Sequence, residues 1–538
     1  MIGMVLALVL ALNAGAATME GSGKACYEVV PLPRSIVMQK GDGFVVNPQV
    51  VIVSGDESLK RNAEFLRQYL KETVQVDVAL GDKGAKGNTI VLTLNPKMTE
   101  AEGYRISVSR KRVTIEGQTP QGVFYGIQTL RKSLVGVEGD VILPAAIIED
   151  APRFGYRGMH LDVVRHFFGV EFVKKYLDAM VLHNMNRFHW HLTDDQGWRV
   201  PIDSYPKLVK EGSVRSYTVL GRNSPVDDGT PYGGSFTKEE LKEIVRYAQE
   251  RYITIIPEID MPGHMLGALK AYPELGCTGG PYEVEGHWGV FDDILCAGKE
   301  ETFRFVEAVL TELMEIFPSE YIHIGGDEAP KVRWEQCPRC QQRIREQGLK
   351  PVGTHSAEAQ LQGYFTKRVE AFLNKHGRKL IGWDELMESG VNETATIMSW
   401  RGVKGGMEAS QKGHDVIVVP TSHCYFDYYQ TADHEWEEPF SFANVITMET
   451  TYGLDPAPDT LTPEAQKHIL GAQANLWTEY IGYESQAFYQ VLPRMGALSE
   501  VQWVMPAKKD FRQFVERERR LTLLYKAKGW PFATHIFK

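Results

Sequence analysis

The ten residues YIHIGGDEAP, positions 321 to 330, end with two neighbouring carboxylates, Asp327 and Glu328. The letters YIHI indicate a short buried strand, and two glycines separate it from the acids. Two carboxyls in different environments suit general acid–base chemistry, because one can stay protonated while the other stays ionised. The glycines allow a bend in the strand and close approach of a ligand. An N-cap on the next helix is the structural alternative, and it leaves the glycines unexplained.

A second polar cluster lies in NRFHWHLTDDQGWR, residues 186 to 199. His189 and His191 fall on one face of the predicted strand, and Asp194 follows them. The H-x-H spacing is also typical of metal ligands, which makes a metal-dependent hydrolase the rival class. Other predicted strands end in Trp383 and Trp400 where such a site would need more ligands. We therefore predict a hydrogen-bonded histidine layer.

Further polar side chains follow other predicted strands. PEIDMPGH brings Asp260 and His264 to one rim, where a histidine can orient a carboxylate and tune its protonation. LDVVRH places Arg165 after another strand, where its fork of donors could bind hydroxyl groups.

Aromatic residues accompany these acids in GWDE, SWRG, CYFD and NLWTE. Trp383, Trp400 and Trp477 each end a different predicted strand. Tryptophan stacks on the C–H face of a pyranose, while carboxylates and arginine bind its hydroxyls. The set predicts a sugar pocket, although packing is the alternative for one of the three tryptophans.

Eight predicted strands alternate with amphipathic segments from residue 151 to 505, which is typical of a (β/α)₈ TIM barrel. The strands are YRGMHLDV, RFHWHLTD, ITIIPEID, YIHIGGDE, KLIGWDEL, TIMSWRG, DVIVVPTSH and ILGAQANLW. Amphipathic segments include VEFVKKYLDAMVLHN and ESQAFYQVLPRMGALSEVQW. Active sites of this fold lie at the carboxyl ends of the strands, where the polar motifs fall.

Two other parts flank the predicted barrel. Residues 27–150 contain short strands such as TIVLTL and YRISVS between amphipathic helices, which predicts a small N-terminal α/β domain. We find no cluster of candidate catalytic residues there. Residues 506–538 predict a C-terminal helical tail packed on the barrel, with a mobile terminal helix as the alternative.

The 538-residue chain has a net charge of −10, with 43% hydrophobic and 24% charged residues. This balance argues against nucleic acid as a partner. Residues 1–17, MIGMVLALVLALNAGAA, predict a signal peptide and hence a periplasmic or secreted protein, with a buried N-terminal helix as the alternative. We expect neither a lipid anchor at Cys26 nor a later membrane-spanning segment.

Six cysteines occur in the sequence. In an exported protein, Cys277 and Cys296 could close a loop as a disulfide. Cys337 and Cys340 form a CPRC pair, and no second CxxC is present to complete a zinc site. We expect a local disulfide or reduced thiols at this pair.

The motifs DVVRHF, HWHLTDDQGWR, PEIDMPGH, HIGGDE, GWDE, SWRG and NLWTE together resemble glycoside hydrolase family 20, the β-N-acetylhexosaminidases. The resemblance covers essentially the whole chain after the signal peptide, including the N-terminal domain. It implies an exo-acting enzyme that removes terminal non-reducing β-linked GlcNAc or GalNAc from glycans or chito-oligosaccharides. It further implies a retaining, substrate-assisted mechanism with an oxazolinium intermediate.

The resemblance also implies roles for individual residues. Glu328 is expected to be the general acid and base, and Asp327 to orient the substrate's acetamido group. The remaining expected site residues are Tyr425 on the acetamido oxygen; Asp194 and His264 as a relay behind Glu328; Trp383, Trp400 and Trp477 as walls and floor; and Arg165, Asp427 and Glu479 on sugar hydroxyls.

Carbohydrate is the partner that this resemblance implies, and it implies neither a cofactor nor a metal. Two rival classes remain at this stage: a metal-dependent barrel hydrolase and a non-catalytic glycan-binding protein. The presence of both acids, Asp327 and Glu328, counts against the second. The sequence leaves open the preference between GlcNAc and GalNAc, the natural glycan and the oligomeric state.

Overall fold

The computed structural model describes residues 24–82, 84–434 and 438–538, so the predicted signal peptide at residues 1–17 lies outside the described residues. Within the described ranges, the chain forms a seven-stranded sheet followed by a closed barrel. No helix there combines the length and the apolar character that crossing a bilayer requires.

The N-terminal domain is built on the seven-stranded sheet, in the order β1-β9-β6-β7-β5-β3-β4. Its strands are β1 Ser35–Met38, β2 Phe44–Val45, β3 Val51–Ser54, β4 Ala79–Gly81, β5 Thr89–Leu94, β6 Tyr104–Ser109, β7 Arg112–Gly117, β8 Ile142–Leu143 and β9 Ala146–Asp150. Strands β2 and β8 form a separate pair. The helices α1 Lys60–Val74 and α2 Pro120–Ser133 complete the predicted α/β domain.

The barrel strands all run parallel, as predicted, and close in the order β10-β11-β16-β17-β18-β19-β20-β23. The remaining strands of the chain are β10 Tyr156–Asp162, β11 Arg187–His191, β12 Thr193–Asp194, β13 Gly197–Trp198, β14 Val214–Arg215, β15 Tyr232–Gly233, β16 Thr254–Glu258, β17 Tyr321–His323, β18 Lys379–Trp383, β19 Thr396–Ser399, β20 Val416–Val418, β21 Tyr428–Tyr429, β22 Phe442–Val445 and β23 Ile469–Ala474.

Helices cover the outside of the barrel and the loops at its carboxyl end. They are α3 Val170–Leu182, α4 Lys207–Lys210, α5 Lys238–Gln249, α6 Leu266–Ala271, α7 Glu300–Ile316, α8 Val332–Gln336, α9 Pro338–Glu346, α10 Ala357–Lys375, α11 Leu386–Ser389, α12 Val403–Gln411, α13 Met448–Tyr452, α14 Pro463–Lys467, α15 Glu484–Val491, α16 Arg494–Trp503 and α17 Phe511–Lys528. In α5, Thr237 and Glu240 form a reciprocal capping box, which fixes where the helix begins.

Two predicted elements differ from the observed ones. The segment from residue 484 to 503 was predicted as one amphipathic stretch, and it forms two helices, α15 and α16. Pro493 lies between the two helices. It interrupts the helix because it lacks the N–H that a continuous helix needs. Strand β17 ends at His323, earlier than predicted, because the glycines that follow leave the extended conformation.

The C-terminal helix α17 packs against the barrel and the N-terminal domain. Tyr525 is buried and pairs with Nε2 of His183 at 2.7 Å. Arg517 donates from Nη2 to both carboxylate oxygens of Glu500 at 2.9 Å. These buried contacts favour the docked helix over the mobile alternative.

The expected disulfide between Cys277 and Cys296 is not formed. Both residues instead join the CPRC pair in one cluster, in which Sγ of Cys296 lies 3.7 Å from Cys337 and 3.6 Å from Cys340. A disulfide bond is about 2.05 Å long, so these thiols are not bonded to one another. Of the two alternatives expected for the CPRC pair, reduced thiols are the one observed, with Cys277 and Cys296 as additional neighbours.

Candidate active site

One cavity at the carboxyl end of the barrel collects the side chains that the sequence predicted for chemistry. It encloses about 600 Å³, including its open mouth. The predicted residues in its lining are Arg165, Asp194, His264, Asp327, Glu328, Trp383, Trp400, Tyr425, Asp427, Trp477 and Glu479. Each comes from a strand end or the loop that follows it, so the barrel brings together residues distant in sequence.

Gly325 and Gly326 turn the chain between β17 and the two carboxylates. Their φ angles are +64° and +91°, in the region where glycine is favoured. A Cβ atom at Gly325 would lie 1.8 Å from Oδ1 of Asp260, and one at Gly326 would lie 2.4 Å from Cδ2 of Leu386. Neither position has room for a side chain, so the predicted bend is confirmed.

Two predicted catalytic residues have left-handed backbone conformations. The φ angle of Glu328 is +45° and that of His264 is +53°. A non-glycine residue in this region costs about 1–2 kcal/mol, so the surrounding structure must impose it. One such restraint is the bond from the Glu328 N–H to Oε2 of Glu385 at 3.0 Å. Two of the six non-glycine residues with positive φ among the described residues thus lie at the rim of the cavity.

The neighbouring acids Asp327 and Glu328 occupy different environments. The Asp327 side chain is 15% exposed, whereas that of Glu328 is 41% exposed. Burial raises the pKa of Asp327 to about 7; nearby His264 opposes this shift, and the charges of Glu385 and Glu328 add to it. The Oδ1 atom of Asp327 is buried and has no hydrogen-bond partner within the described ranges. A buried acceptor in this state is suited to a donor from a ligand.

His264 connects the two acids to a pair of buried aspartates. Its Nδ1 lies 3.2 Å from Oδ1 of Asp194 and 3.1 Å from Oδ2 of Asp195. Its Nε2 lies 3.6 Å from Oε2 of Glu328 and 3.9 Å from Oδ2 of Asp327. Burial alone would lower the pKa of His264, but Asp194 and the hydrogen bonds of both aspartates raise it well above the ordinary value. The two aspartates therefore favour the protonated form of the imidazole beside Glu328.

Arg165 joins this relay to the far end of the cavity. Its guanidinium lies 2.8 Å from Oδ2 of Asp194, 3.1 Å from Oδ2 of Asp162 and 3.7 Å from Oε1 of Glu479. Burial alone would lower the pKa of Arg165, but these carboxylates, Asp194 first, raise it well above the ordinary value. The guanidinium also lies 5.2 Å from the Trp477 ring centre, within reach of a cation–π contact.

Three tryptophans and a tyrosine form the aromatic walls. Trp383 and Trp477 approach at 6.0 Å between ring centres, and Trp400 stacks near Tyr425 at 6.4 Å. Trp383 is only 1% exposed, and its Nε1 donates to Oε1 of Glu258 at 3.2 Å. It is therefore anchored from below while its ring borders the cavity.

A layer of histidines lies beneath these rings. His191 Nδ1 forms a hydrogen bond with Oε2 of Glu258 at 2.6 Å, and His189 Nε2 and His323 Nδ1 lie 3.0 Å and 2.9 Å from the same carboxylate. The ring of Trp477 covers the layer, 4.9 Å from that of His191. The predicted hydrogen-bonded histidine layer is confirmed, since His189 also bonds to the Gln473 amide at 3.0 Å and His191 to Oδ2 of Asp194 at 2.8 Å.

Several cavity residues were missed or underused in the sequence reasoning. Asp195 shares His264 with Asp194, and the DD pair in HLTDD was its only signal. Asp260 was placed at the rim without a role, and it fills the space that Gly325 leaves. Tyr428 of β21 and Phe442 of β22 line the cavity from the long loop between β20 and β23. No motif marks them, because their approach depends on how that loop folds.

Comparison with known proteins agrees with this architecture. Residues 26–151 match the model for "Glycosyl hydrolase family 20, domain 2", and residues 154–506 match that for "Glycosyl hydrolase family 20, catalytic domain". A "Beta-hexosaminidase" of Porphyromonas gingivalis is 41% identical over 500 residues, which are 91% of this chain and 62% of that protein. A "Beta-hexosaminidase" of Vibrio furnissii is 36% identical over 485 residues, 88% of this chain and 76% of that protein.

Solved structures show the same fold. The GH20 β-N-acetylhexosaminidase of Streptomyces coelicolor A3(2) has a TM-score of 0.80 at 30% identity, covering 94% of this chain and 97% of that one. The GH20 exo-β-N-acetylglucosaminidase of Vibrio harveyi, in complex with N-acetylglucosamine, has a TM-score of 0.81 at 29% identity, covering 95% and 79%. The matches extend over both domains and the whole barrel. The chain therefore belongs to glycosyl hydrolase family 20, the β-N-acetylhexosaminidase family that its motifs resemble.

Proposed function

We propose that the chain is an exo-acting β-N-acetylhexosaminidase that removes terminal non-reducing β-linked GlcNAc or GalNAc from glycans or chito-oligosaccharides. Its reaction is a retaining hydrolysis in which the substrate's own acetamido oxygen is the nucleophile. Family membership and the named relatives support the activity.

The observation that carries this proposal is the position of Asp327 beside Glu328 after one glycine turn. Ordinary retaining glycosidases place two carboxyls about 5–5.5 Å apart across the scissile bond, one as acid and one as nucleophile. Two neighbouring carboxylates on one turned segment suit a different mechanism, in which one is the general acid and the other contacts the substrate's acetamido group. Glu328 is exposed toward the leaving group, and Asp327 holds a buried oxygen without a partner.

In the first step, Glu328 donates a proton to the glycosidic oxygen as the bond from that oxygen to the anomeric carbon breaks. The acetamido oxygen attacks the anomeric carbon, which gives an oxazolinium ion. Asp327 accepts a hydrogen bond from the acetamido N–H and balances the positive charge that develops. The Tyr425 hydroxyl donates a hydrogen bond to the acetamido oxygen and so orients that oxygen.

In the second step, Glu328 accepts a proton from water as the water oxygen attacks the anomeric carbon. The acetamido group is released, and the β configuration is retained. His264 lies 3.6 Å from Glu328, and its protonated form places a positive charge beside the ionised Glu328 carboxylate. Asp194 and Asp195 position that imidazole.

The sugar ring would lie on Trp477, with its hydroxyls on Arg165, Asp427 and Glu479. Both oxygens of Asp427 and Oε2 of Glu479 are buried without partners in the described parts of the chain. Such acceptors favour hydroxyl donors over an apolar ligand. Because these side chains close one end of the cavity, a chain-terminal sugar fits better than an internal one.

The test is hydrolysis by the purified chain of aryl β-N-acetylglucosaminide, aryl β-N-acetylgalactosaminide and plain aryl β-glucoside. Cleavage of the N-acetyl sugars alone, with β product formed first by NMR, is the expected result. Cleavage of the plain glucoside at a similar rate would overturn acetamido participation. A short assay in chelator is expected to give the same rate, which separates this proposal from a metal-dependent hydrolase.

We also propose that the protein is exported, on the strength of the apolar residues 1–17 and their Ala14-Gly15-Ala16 cleavage site. Glycans outside the cytoplasm are the corresponding substrates. Expression of the full chain in a bacterial host, followed by cell fractionation and N-terminal mass spectrometry, tests this. An intact N-terminus on cytoplasmic protein would contradict export.

A further inference from the structure

Four cysteines that the proposed reaction does not use meet behind the rim of the active site. Cys277 and Cys296 lie in the long loop between α6 and α7. Cys337 precedes α9, and Cys340 lies in its first turn. Their four Sγ atoms all lie within 4.8 Å of one another. Residues from two separate barrel loops therefore converge on a single point.

The spacing of the sulfur atoms fits ligands of one metal ion. A tetrahedral zinc ion with Zn–S bonds of about 2.3 Å separates its sulfur atoms by about 3.8 Å. The measured Sγ–Sγ distances are 3.8 Å for Cys277–Cys340, 3.7 Å for Cys296–Cys337 and 3.6 Å for Cys296–Cys340. These three of the six pairs match a tetrahedral ion, and the limit of 4.8 Å on every pair leaves no space for an iron–sulfur cluster.

Three of the four cysteines are buried, and the fourth, Cys277, is half-buried. Cys296 and Cys340 are 0% exposed, and Cys337 is 5% exposed. The backbone packs tightly here, since a Cβ atom on Gly298 would lie 2.3 Å from the carbonyl carbon of Arg339. Thiolates take all four positions of a tetrahedral ion, so no water or substrate can bind the metal. The site is structural in type.

We propose that these four thiolates bind one Zn²⁺ ion, which joins the loop after β16 to the helices after β17. Both segments lead directly to the active site. The Leu295 N–H donates to the Pro262 carbonyl at 2.9 Å, two residues before His264. Trp334 on α8 donates from Nε1 to the Leu295 carbonyl at 2.9 Å. The ion would thus support the rim that holds His264 and Glu328 in their left-handed conformations.

The first experiment measures metal in the full chain, purified under reducing conditions without added metal, by inductively coupled plasma mass spectrometry. We expect about one zinc ion per chain, as for other closed four-cysteine sites. The Cys340→Ser variant should lose it. The matched control is Cys26→Ser, which changes a half-buried cysteine of the N-terminal domain and should keep the zinc.

A second measurement does not depend on how well the Cys340→Ser variant folds. The unaltered chain, produced in zinc-depleted medium with cobalt, should show the intense visible absorption of tetrahedral thiolate-bound Co²⁺. Absence of both zinc and this absorption would overturn the proposal. So would iron in place of zinc, or peptide mapping that finds these cysteines paired as disulfides in protein purified without a reductant.

Discussion

Two aspartates, the buried Asp150 and the half-buried Asp327, have very different surroundings at the domain interface and in the active site. Oδ2 of Asp150 accepts from Tyr104 at 2.6 Å and from Trp503 Nε1 at 2.9 Å. Its Oδ1 accepts from the N–H groups of Arg34 and Ala151, both at 2.9 Å. Burial raises the pKa of Asp150 to about 6.

Asp327 has a similarly raised pKa, about 7, also mainly through burial. Its Oδ1 atom has no partner among the described residues, and the residues before and after it have positive φ angles. The difference teaches that a raised pKa alone does not mark a functional acid. A buried acceptor without a hydrogen-bond partner, next to strained backbone, is the better sign of a functional acid. It does not stabilise the fold, but it can bind a donor from a ligand.

The largest effect is expected at Glu328, the exposed neighbour of Asp327. In Glu328→Gln, hydrolysis of a chitobiose-type substrate should slow by about 10²–10⁴-fold, because proton donation to the leaving oxygen is lost. The loss should be much smaller for an aryl substrate whose leaving group needs no proton. Kinetics on the two substrates check this. Equal losses on both would assign Glu328 a role other than general acid.

The comparison itself is tested by Asp327→Asn, in which the carboxylate becomes a neutral amide of the same size. We expect kcat on N-acetyl substrates to fall by about 10²–10³-fold, since charge balance in the transition state is lost. The melting temperature should stay the same or rise, because no existing bond to Oδ1 is broken. A near-normal rate would contradict the assignment of Asp327.

The matched change Asp150→Asn should lower stability and leave activity unchanged. Two of the four donors around Asp150 then face an amide nitrogen that cannot accept a hydrogen bond. Leaving buried donors unpaired costs about 1–3 kcal/mol in the free energy of unfolding. A lower melting temperature with unchanged kcat/KM is the expected outcome. If Asp150→Asn impairs kcat/KM while stability holds, the contrast between the two aspartates fails.

The fold and much of the site could be predicted from the sequence, because strand-end motifs such as HIGGDE and PEIDMPGH carry both periodicity and chemistry. The cysteine cluster could not. Cys277 and Cys296 lie far along the chain from Cys337 and Cys340, and only the folding of two loops brings them together. Phe442 reaches the cavity in the same way, without a motif. The break before α16 follows from Pro493, which has no N–H to continue a helix.

The smallest effect concerns the pH dependence of Asp327. Only its ionised form can accept the acetamido N–H and balance charge, so kcat/KM should fall as the pH drops below about 7. Besides burial, the charge of Glu385 raises the pKa of Asp327. In Glu385→Gln the acidic limb should therefore move to lower pH. Glu464→Gln, at a side chain 80% exposed, is the control and should leave the profile unchanged. If the acidic limb of the kcat/KM profile does not move in Glu385→Gln, a group other than Asp327 controls that limb. The contrast between Asp327 and Asp150 would then rest on the unpaired oxygen of Asp327.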